Sequence, residues 1–256
     1  LKRQMRNVHR ENQQQQQQQL FVLQTPFTMQ ISAPSMGGKT TWLNLLLTRM
    51  EEFMHPVPER IVYCYSQQQP AYEEIREILP NIVEFVRGIP DDIEEDYYFD
   101  PKINNMIILD DVMMEAKNDN RISNLFTRGS HHRNLSVIYL TQNLFPQGKA
   151  SRDIALNCHY LVLFNNPVDR QQISLLARRI QPSTPERFMK AYEAAVDKPY
   201  GNLLIDLKTN TPERERLNPM CWNKHRSERG RCPCYNGKRV WRRKRMIPIL
   251  IKKCQF

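Results

Sequence analysis

Apolar positions along this chain fall into short runs separated by longer stretches of helical spacing. Phe27, Met29 and Ile31 alternate with polar neighbours at period two, the pattern of a strand. Ile61–Tyr65, Ile82–Val86, Met106–Asp111, Ser136–Leu140, Tyr160–Phe164 and Asn202–Leu207 add six more strands. Lys39–His55 reads as a helix with Trp42, Leu45, Leu46 and Met50 on one side, and Pro70–Leu79 as another, closed by Pro80. Arg121–Asn134 is helical at least in part. In Asp169–Ile180 the residues Ile173, Leu176, Ala177 and Ile180 make an amphipathic stripe. Ser183-Thr-Pro-Glu186 has the form of a capping box with an early proline, opening a helix with Phe188, Ala191, Tyr192 and Ala195 on one face. The acidic stretch Asp91–Asp100 reads as a surface helix or loop. Strands alternating with helices predict an α/β fold, a mostly parallel sheet with helices on both faces. There is no internal repeat.

The segment after the first strand carries the candidate chemistry. Ala33, Pro34, Ser35, Met36, Gly37 and Gly38 form a tight loop, followed by Lys39, Thr40, Thr41 and a leucine-rich helical run. Strand, glycine-bearing loop, Lys-Thr and helix is the P-loop arrangement, with Ala33 where the strict pattern asks for glycine. Such a loop aims backbone amides at a triphosphate beside the positive end of a helix. Lys39 would reach the β- and γ-phosphates of ATP, and the Thr40 hydroxyl would ligate Mg²⁺. The competing reading is a chance Gly-Gly-Lys-Thr turn. The chain has only eight glycines, so two adjacent ones at this spot argue for placement.

A second stretch fits the same chemistry. Four apolar residues, Met106–Leu109, end in Asp110 and Asp111, which suits a strand buried on both faces with acids at its carboxyl end. Ligands bind at those ends in open α/β sheets, and the expectation is that the P-loop and Asp110 lie on side-by-side strand ends. Asp110 would hold the Mg²⁺ shell and Asp111 would polarise an attacking water. The alternative is that the two acids cap a strand and start a turn. Gln142, at the end of the Ser136–Leu140 strand, is placed to sense a γ-phosphate or hold the water; a glutamine that satisfies loop backbone is the competing reading. His131 and His132 stand side by side, with no carboxylate or cysteine at ligand spacing, and read as a polar helix end.

Charge divides the chain. Its 256 residues carry +10, yet Cys221–Phe256 holds twelve Lys/Arg against one acid, Glu228, so the rest sums to −1. The expected organisation is a glutamine-rich disordered segment 1–20 with Gln13–Gln19, a P-loop domain 21–212 and a basic flexible tail 213–256. Lys238–Arg245 is dense enough to contact nucleic-acid phosphates, and serves equally as a nuclear localisation signal or as a solvated tail. Cys221, His225, Cys232 and Cys234 are four possible zinc ligands at a spacing that fits no common finger. Six scattered cysteines point to a reducing compartment rather than secretion, and no apolar run is long enough to span a membrane.

Ala33–Thr40, Ile107–Asp111, Thr127–Phe145, His159–Arg179 and Lys198–Glu213 together resemble the viral DNA-packaging ATPases of the FtsK–HerA superfamily. The likeness is to the poxvirus-type enzymes of Polinton/Maverick elements and adintovirus-like viruses, and covers roughly Phe21–Pro212. It implies a RecA/ASCE-like P-loop NTPase that hydrolyses ATP with Mg²⁺ and moves double-stranded DNA into a capsid. It implies a homo-oligomeric ring, a hexamer by preference, with capsid proteins as partners and the nucleus or virion as location. On these motifs Lys39 and Thr40 match the Walker A pair, Asp110 and Asp111 the Walker B acids and Gln142 the strand-end glutamine. An arginine finger from the adjacent subunit would be Arg128, with Arg133 as the alternative. The departures are Ala33 and the second acid, Asp111, where many relatives have Glu. A different P-loop substrate, such as a protein to be remodelled, remains open, as does a catalytically degenerate P-loop domain of a mobile element that binds nucleic acid through its tail.

Overall fold

The chain is described by a computed structural model that covers residues 21–112, 120–129, 133–145 and 149–220, without the side chains of 120, 128, 129 and 149–152. All of these lie in one compact unit, Phe21–Trp222. The glutamine run, His131–His132, the cysteine and histidine set from Cys221 to Cys234 and the basic run Lys238–Arg245 lie outside the described residues.

Ten strands form among the described residues: β1 Leu23–Gln24, β2 Thr28–Ser32, β3 Met54–His55, β4 Arg60–Tyr65, β5 Val83–Arg87, β6 Asn105–Asp110, β7 Leu135–Thr141, β8 Tyr160–Phe164, β9 Asn202–Asp206 and β10 Leu217–Met220. Eight of them make one sheet in the order β10-β9-β8-β2-β7-β6-β4-β5, and β1 pairs with β3 in a small separate ribbon. From β8 through β5 every pairing is parallel; β9 runs antiparallel to β8, and β10 antiparallel to β9. All seven expected strands are in the sheet. The eighth, β10, lies beyond the boundary expected at Pro212. Its Pro219 is compatible with an edge position, where one face of the backbone needs no ladder donor.

The helices are α1 Lys39–Thr48, α2 Met50–Phe53, α3 Ala71–Ile78, α4 Asn120–Asn124 continuing as a π-helical turn Leu125–Gly129, α5 Lys149–Leu156, α6 Arg170–Ile180 and α7 Pro185–Val196. They cover both faces. Met29, Ile31, Ile61, Tyr63, Met106, Ile108, Ile138 and Val162 pack with Leu43, Leu46, Leu47 and Ile75 of α1 and α3. On the other face, Val62, Ile107, Leu109 and Val137 pack with Ile122, Phe126 and Ile154, while Leu161, Leu163, Leu203 and Ile205 meet Ile173, Leu176, Phe188 and Tyr192.

Two expectations need correction. The helix expected over Lys39–His55 breaks at Arg49, because Met54 and His55 leave it to pair with β1; its buried side carries Leu43 and Leu47 rather than Leu45. The box at Ser183 does not form: Thr184 is the N-cap, its side chain makes no capping bond, and Pro185 starts α7. The period-two alternation of β2 marks the strand correctly, and both of its faces are buried. Thr28, Gln30 and Ser32 are buried too, and Gln30 Nε2 donates to Leu144 O at 2.9 Å while Thr28 Oγ1 donates to Asn157 O at 2.5 Å. Polar side chains at the centre of the sheet are tolerated because loop carbonyls on the second face accept from them.

Among the described residues, one buried side-chain amide has neither of its polar atoms paired. Gln181, 1% exposed after the end of α6, has no hydrogen-bond partner for either amide atom among the described residues. An unsatisfied buried polar group costs about 1–3 kcal/mol. Gln181→Met keeps the length and removes both groups, and is expected to raise the unfolding free energy by at least about 1 kcal/mol. Urea denaturation monitored by circular dichroism checks this; an unchanged midpoint contradicts it.

Candidate nucleotide site

The site is built where β2, β7 and β6 end. The loop leaves β2 at Ala33, whose amide donates to Thr141 O at the end of β7 (3.2 Å), and turns so that Gly37 N donates to Pro34 O (3.0 Å). Met36 at its apex and Gly38 at its exit both have positive φ, 60° and 95°. Ala33 is 1% exposed, and a Cβ at Gly37 would come within 2.9 Å of the Ala33 Cβ. The missing first glycine is therefore accommodated: the methyl of Ala33 takes up the room that Gly37, lacking a side chain, leaves open.

Gly38 caps α1, and the first bond of the helix runs from Trp42 N to Gly38 O at 2.9 Å. The amides of Lys39, Thr40 and Thr41 thus precede the helical ladder, and the first turn carries no acid to neutralise them. Lys39 is half-buried, and its Nζ donates to Ala33 O (2.7 Å) and Pro34 O (3.3 Å). Burial pulls its pKa below the ordinary lysine value, with Asp110 and Asp111 acting in the opposite sense. The Thr40 hydroxyl is 3.5 Å from Gln69 Oε1.

Asp110 ends β6 and is 3% exposed. Its Oδ2 accepts from Tyr63 of β4 and Tyr72 of α3, each at 2.9 Å. Burial pushes the carboxyl upward, and the two phenol bonds and Lys39 oppose the shift. Both tyrosine hydroxyls are held above their ordinary pKa by burial first and by Asp110 second, so they remain donors. Among the described residues no hydrogen bond reaches Oδ1.

Asp111 lies just past the strand, exposed, with φ 57°. The exposed Gln142 Nε2 is 3.5 Å from its Oδ2. Left-handed backbone outside glycine is sparsely populated, and three of the four such residues described (Met36, Asp111 and Tyr200) sit at this edge of the sheet. The fourth, Asn134, begins the chain's entry to β7.

The expected residues Ala33 to Thr41, Asp110, Asp111 and Gln142 therefore converge. One detail differs from expectation: the P-loop strand and the Asp110 strand are not side by side. β7 lies between them and supplies Thr141 and Gln142 to the middle of the site. Arg128 falls on the π-helical turn, its side chain undescribed. Arg133 is engaged within its own chain, NH1 donating to Ile93 O at 3.1 Å and NH2 to Glu94 O and to Asp96 Oδ1, the last at 3.2 Å. Tyr63, Tyr72 and Gln69 were not foreseen. Aromatic residues in a strand and at a helix start read as core, and no spacing marks them as partners of an acid.

An α/β sheet with this loop after a central strand and a buried acid two strands away is the P-loop NTPase fold. No family model matches the chain, and no curated protein matches it either. Among solved structures it is similar to the genome packaging NTPase B204 from Sulfolobus turreted icosahedral virus 2. The complex with ATP-gammaS gives a TM-score of 0.46 and the complex with sulfate 0.45, each at 11% identity over 75% of this chain and 95% of that one. EssC (ATPases 2 and 3) from Geobacillus thermodenitrificans gives 0.41 at 15% identity, over 57% of this chain and 34% of that one. At such identities and TM-scores, function has to be argued from the site.

Tyr72→Phe removes one of two donors to a buried carboxylate and should destabilise the protein by about 1.5–3 kcal/mol, the worth of a hydrogen bond to a charged group. Urea unfolding measures it, and a wild-type midpoint would contradict the role given to the phenol.

Proposed function

We propose that this chain is an ATP-driven motor of the FtsK–HerA packaging type that moves double-stranded DNA into a capsid. The observation that carries the reading is the convergence of Lys39, the buried Asp110 and the Asp111–Gln142 pair at one edge of the sheet. The resemblance of the motif blocks to packaging ATPases supplies the cargo and the ring.

In this reading Lys39 exchanges its two loop carbonyls for phosphate oxygens when ATP enters, and the amides at the start of α1 bind the same phosphates. A hydroxyl and a carboxylate are hard oxygen donors, which suits Mg²⁺ held jointly by the protein and substrate phosphates. Thr40 and Asp110 would hold the ion, which neutralises charge on the β- and γ-phosphates. The tyrosine bonds favour the ionised form of Asp110 against the effect of burial and orient the carboxylate. Asp111 and Gln142 would hold one water in line with the γ-phosphorus; as its oxygen bonds to phosphorus, the bond to the β–γ bridging oxygen breaks, ADP leaves, and Asp111 accepts the water's proton.

The missing cation comes from a neighbouring subunit. Arg133 is occupied by the backbone of the acidic stretch, which supports Arg128, on its π-helical turn, over Arg133 as the finger. Turnover then requires the assembled ring, and loss of the γ-phosphate changes the fit between neighbours.

The expected result is ATP hydrolysis stimulated by linear double-stranded DNA and lost in Lys39→Ala and Asp111→Asn. Stimulation by neither DNA nor ring assembly, in a folded oligomer, would overturn the motor reading. Activity without DNA stimulation would point to another substrate, and DNA binding that survives Lys39→Ala with no turnover would point to a binding module. Arg128→Ala is expected to lower the rate of the assembled enzyme by about 10³-fold or more. Arg133→Ala instead loosens residues 91–96, seen as faster amide exchange there. The opposite assignment of losses would exchange the two arginines.

A further inference from the structure

Tyr200 has no part in the chemistry above, and its placement is unusual. It is 65% exposed, with left-handed backbone at φ 61°, in the short turn between α7 and β9. A large aromatic in that conformation is disfavoured, so the surrounding turn holds it there. The turn is tight: Gly201 N donates to Lys198 O at 2.9 Å, and a Cβ at Gly201 would come within 2.2 Å of Ala195 O, so position 201 admits only glycine.

The ring lies along the P-loop. A Cβ on Gly38 would come within 2.6 Å of Tyr200 Cδ1, 3.4 Å of Cε1 and 3.6 Å of Cγ. One edge of the ring thus rests on the glycine that caps α1, while most of its surface stays in solvent. The reversal of β9 explains how the turn reaches this place. Because β9 runs antiparallel to β8, its first residue, Asn202, pairs with the last residue of β8, Phe164. The turn before β9 therefore opens on the same edge of the sheet as the P-loop.

The two flanks of β2 now have different contents. On one side, β7 and β6 bring Gln142, Asp110 and Asp111, the end where a γ-phosphate reacts. On the other, β8 and β9 bring Tyr200. A triphosphate with its γ end under Lys39 and Asp111 directs its α-phosphate and nucleoside away from them, toward that second flank.

We propose that the ring of Tyr200 is the stacking platform for the base of a nucleoside triphosphate whose phosphates occupy the P-loop. The assignment rests on the nucleotide-site reading above. An aromatic face recognises any base by its π-surface, so Tyr200 contributes affinity with little choice between adenine and guanine. The edge contact with Gly38 further ties the platform to the loop that grips the phosphates, so base and β-phosphate are registered by one pair of residues.

The test compares three ligands by calorimetry in the full chain: ATP, GTP, and inorganic tripolyphosphate, which has the phosphates but no base. Tyr200→Ala is expected to weaken ATP by roughly 10-fold, the loss that removing one stacking partner produces, and GTP by a similar factor. Tripolyphosphate should change by less than about twofold, and Tyr200→Phe should bind all three ligands as the wild type does. Equal losses for ATP and tripolyphosphate would overturn the proposal, since Tyr200 would then only shape the loop. So would an unchanged ATP affinity in Tyr200→Ala with wild-type folding. Failure of the wild-type chain to bind tripolyphosphate or ATP at all would overturn the P-loop reading and this assignment with it.

Discussion

A carboxylate buried to 3% exposure is costly unless hydrogen bonds and a countercharge compensate it, and the architecture around Asp110 follows from that requirement. The compensation comes from three elements that are remote in sequence: Tyr63 from β4, Tyr72 from α3 and Lys39 from the start of α1. Each is fixed in turn by packing. Tyr63 stacks on Phe85, Tyr72 packs tilted against both rings, and Asn44 Nδ2 of α1 donates to Ala71 O of α3 at 2.9 Å. The acid thus acts as a tie between the strand that carries it, the strand beside it and the two helices of one face.

Much of this was legible in the sequence, for identifiable reasons. Four apolar residues ending in two acids could hardly sit anywhere but at the end of a buried strand, and β6 is that strand. Strand, loop and Lys-Thr were likewise read where they stand. The donors to Asp110 were not, because a phenol that bonds a buried acid and a phenol that merely fills the core occupy the same place in a hydrophobic pattern. Continuity of α1 was misjudged because residues 39–55 suit a helix throughout, and only pairing with the distant Leu23 and Gln24 takes Met54 and His55 out of it. β10 was missed because Leu-Asn-Pro-Met has no alternation; β9 supplies its ladder.

The site also shows how a departure from a motif can be absorbed. Ala33 stands where glycine is usual, yet the loop closes, because the constraint belongs to the space between the two ends of the turn rather than to one position. Ala33 fills that space from one side and Gly37 must then vacate it from the other. The strand between the P-loop and Asp110 has a similar effect at larger scale. It separates the lysine strand from the acid strand and places a polar residue, Gln142, in the gap.

The two cysteines among the described residues are both free and buried. Cys64 sits inside β4 and Cys158 precedes β8; burial raises each thiol to about 12. A thiol so far from its ionised form is a poor nucleophile. The remaining four cysteines, Cys221, Cys232, Cys234 and Cys254, all follow the last strand in sequence. Maleimide chemistry therefore discriminates by position without any engineering. A fluorophore attached to the native chain is directed to cysteines that follow Met220 in sequence rather than to Cys64 or Cys158, and the P-loop edge keeps its native side chains.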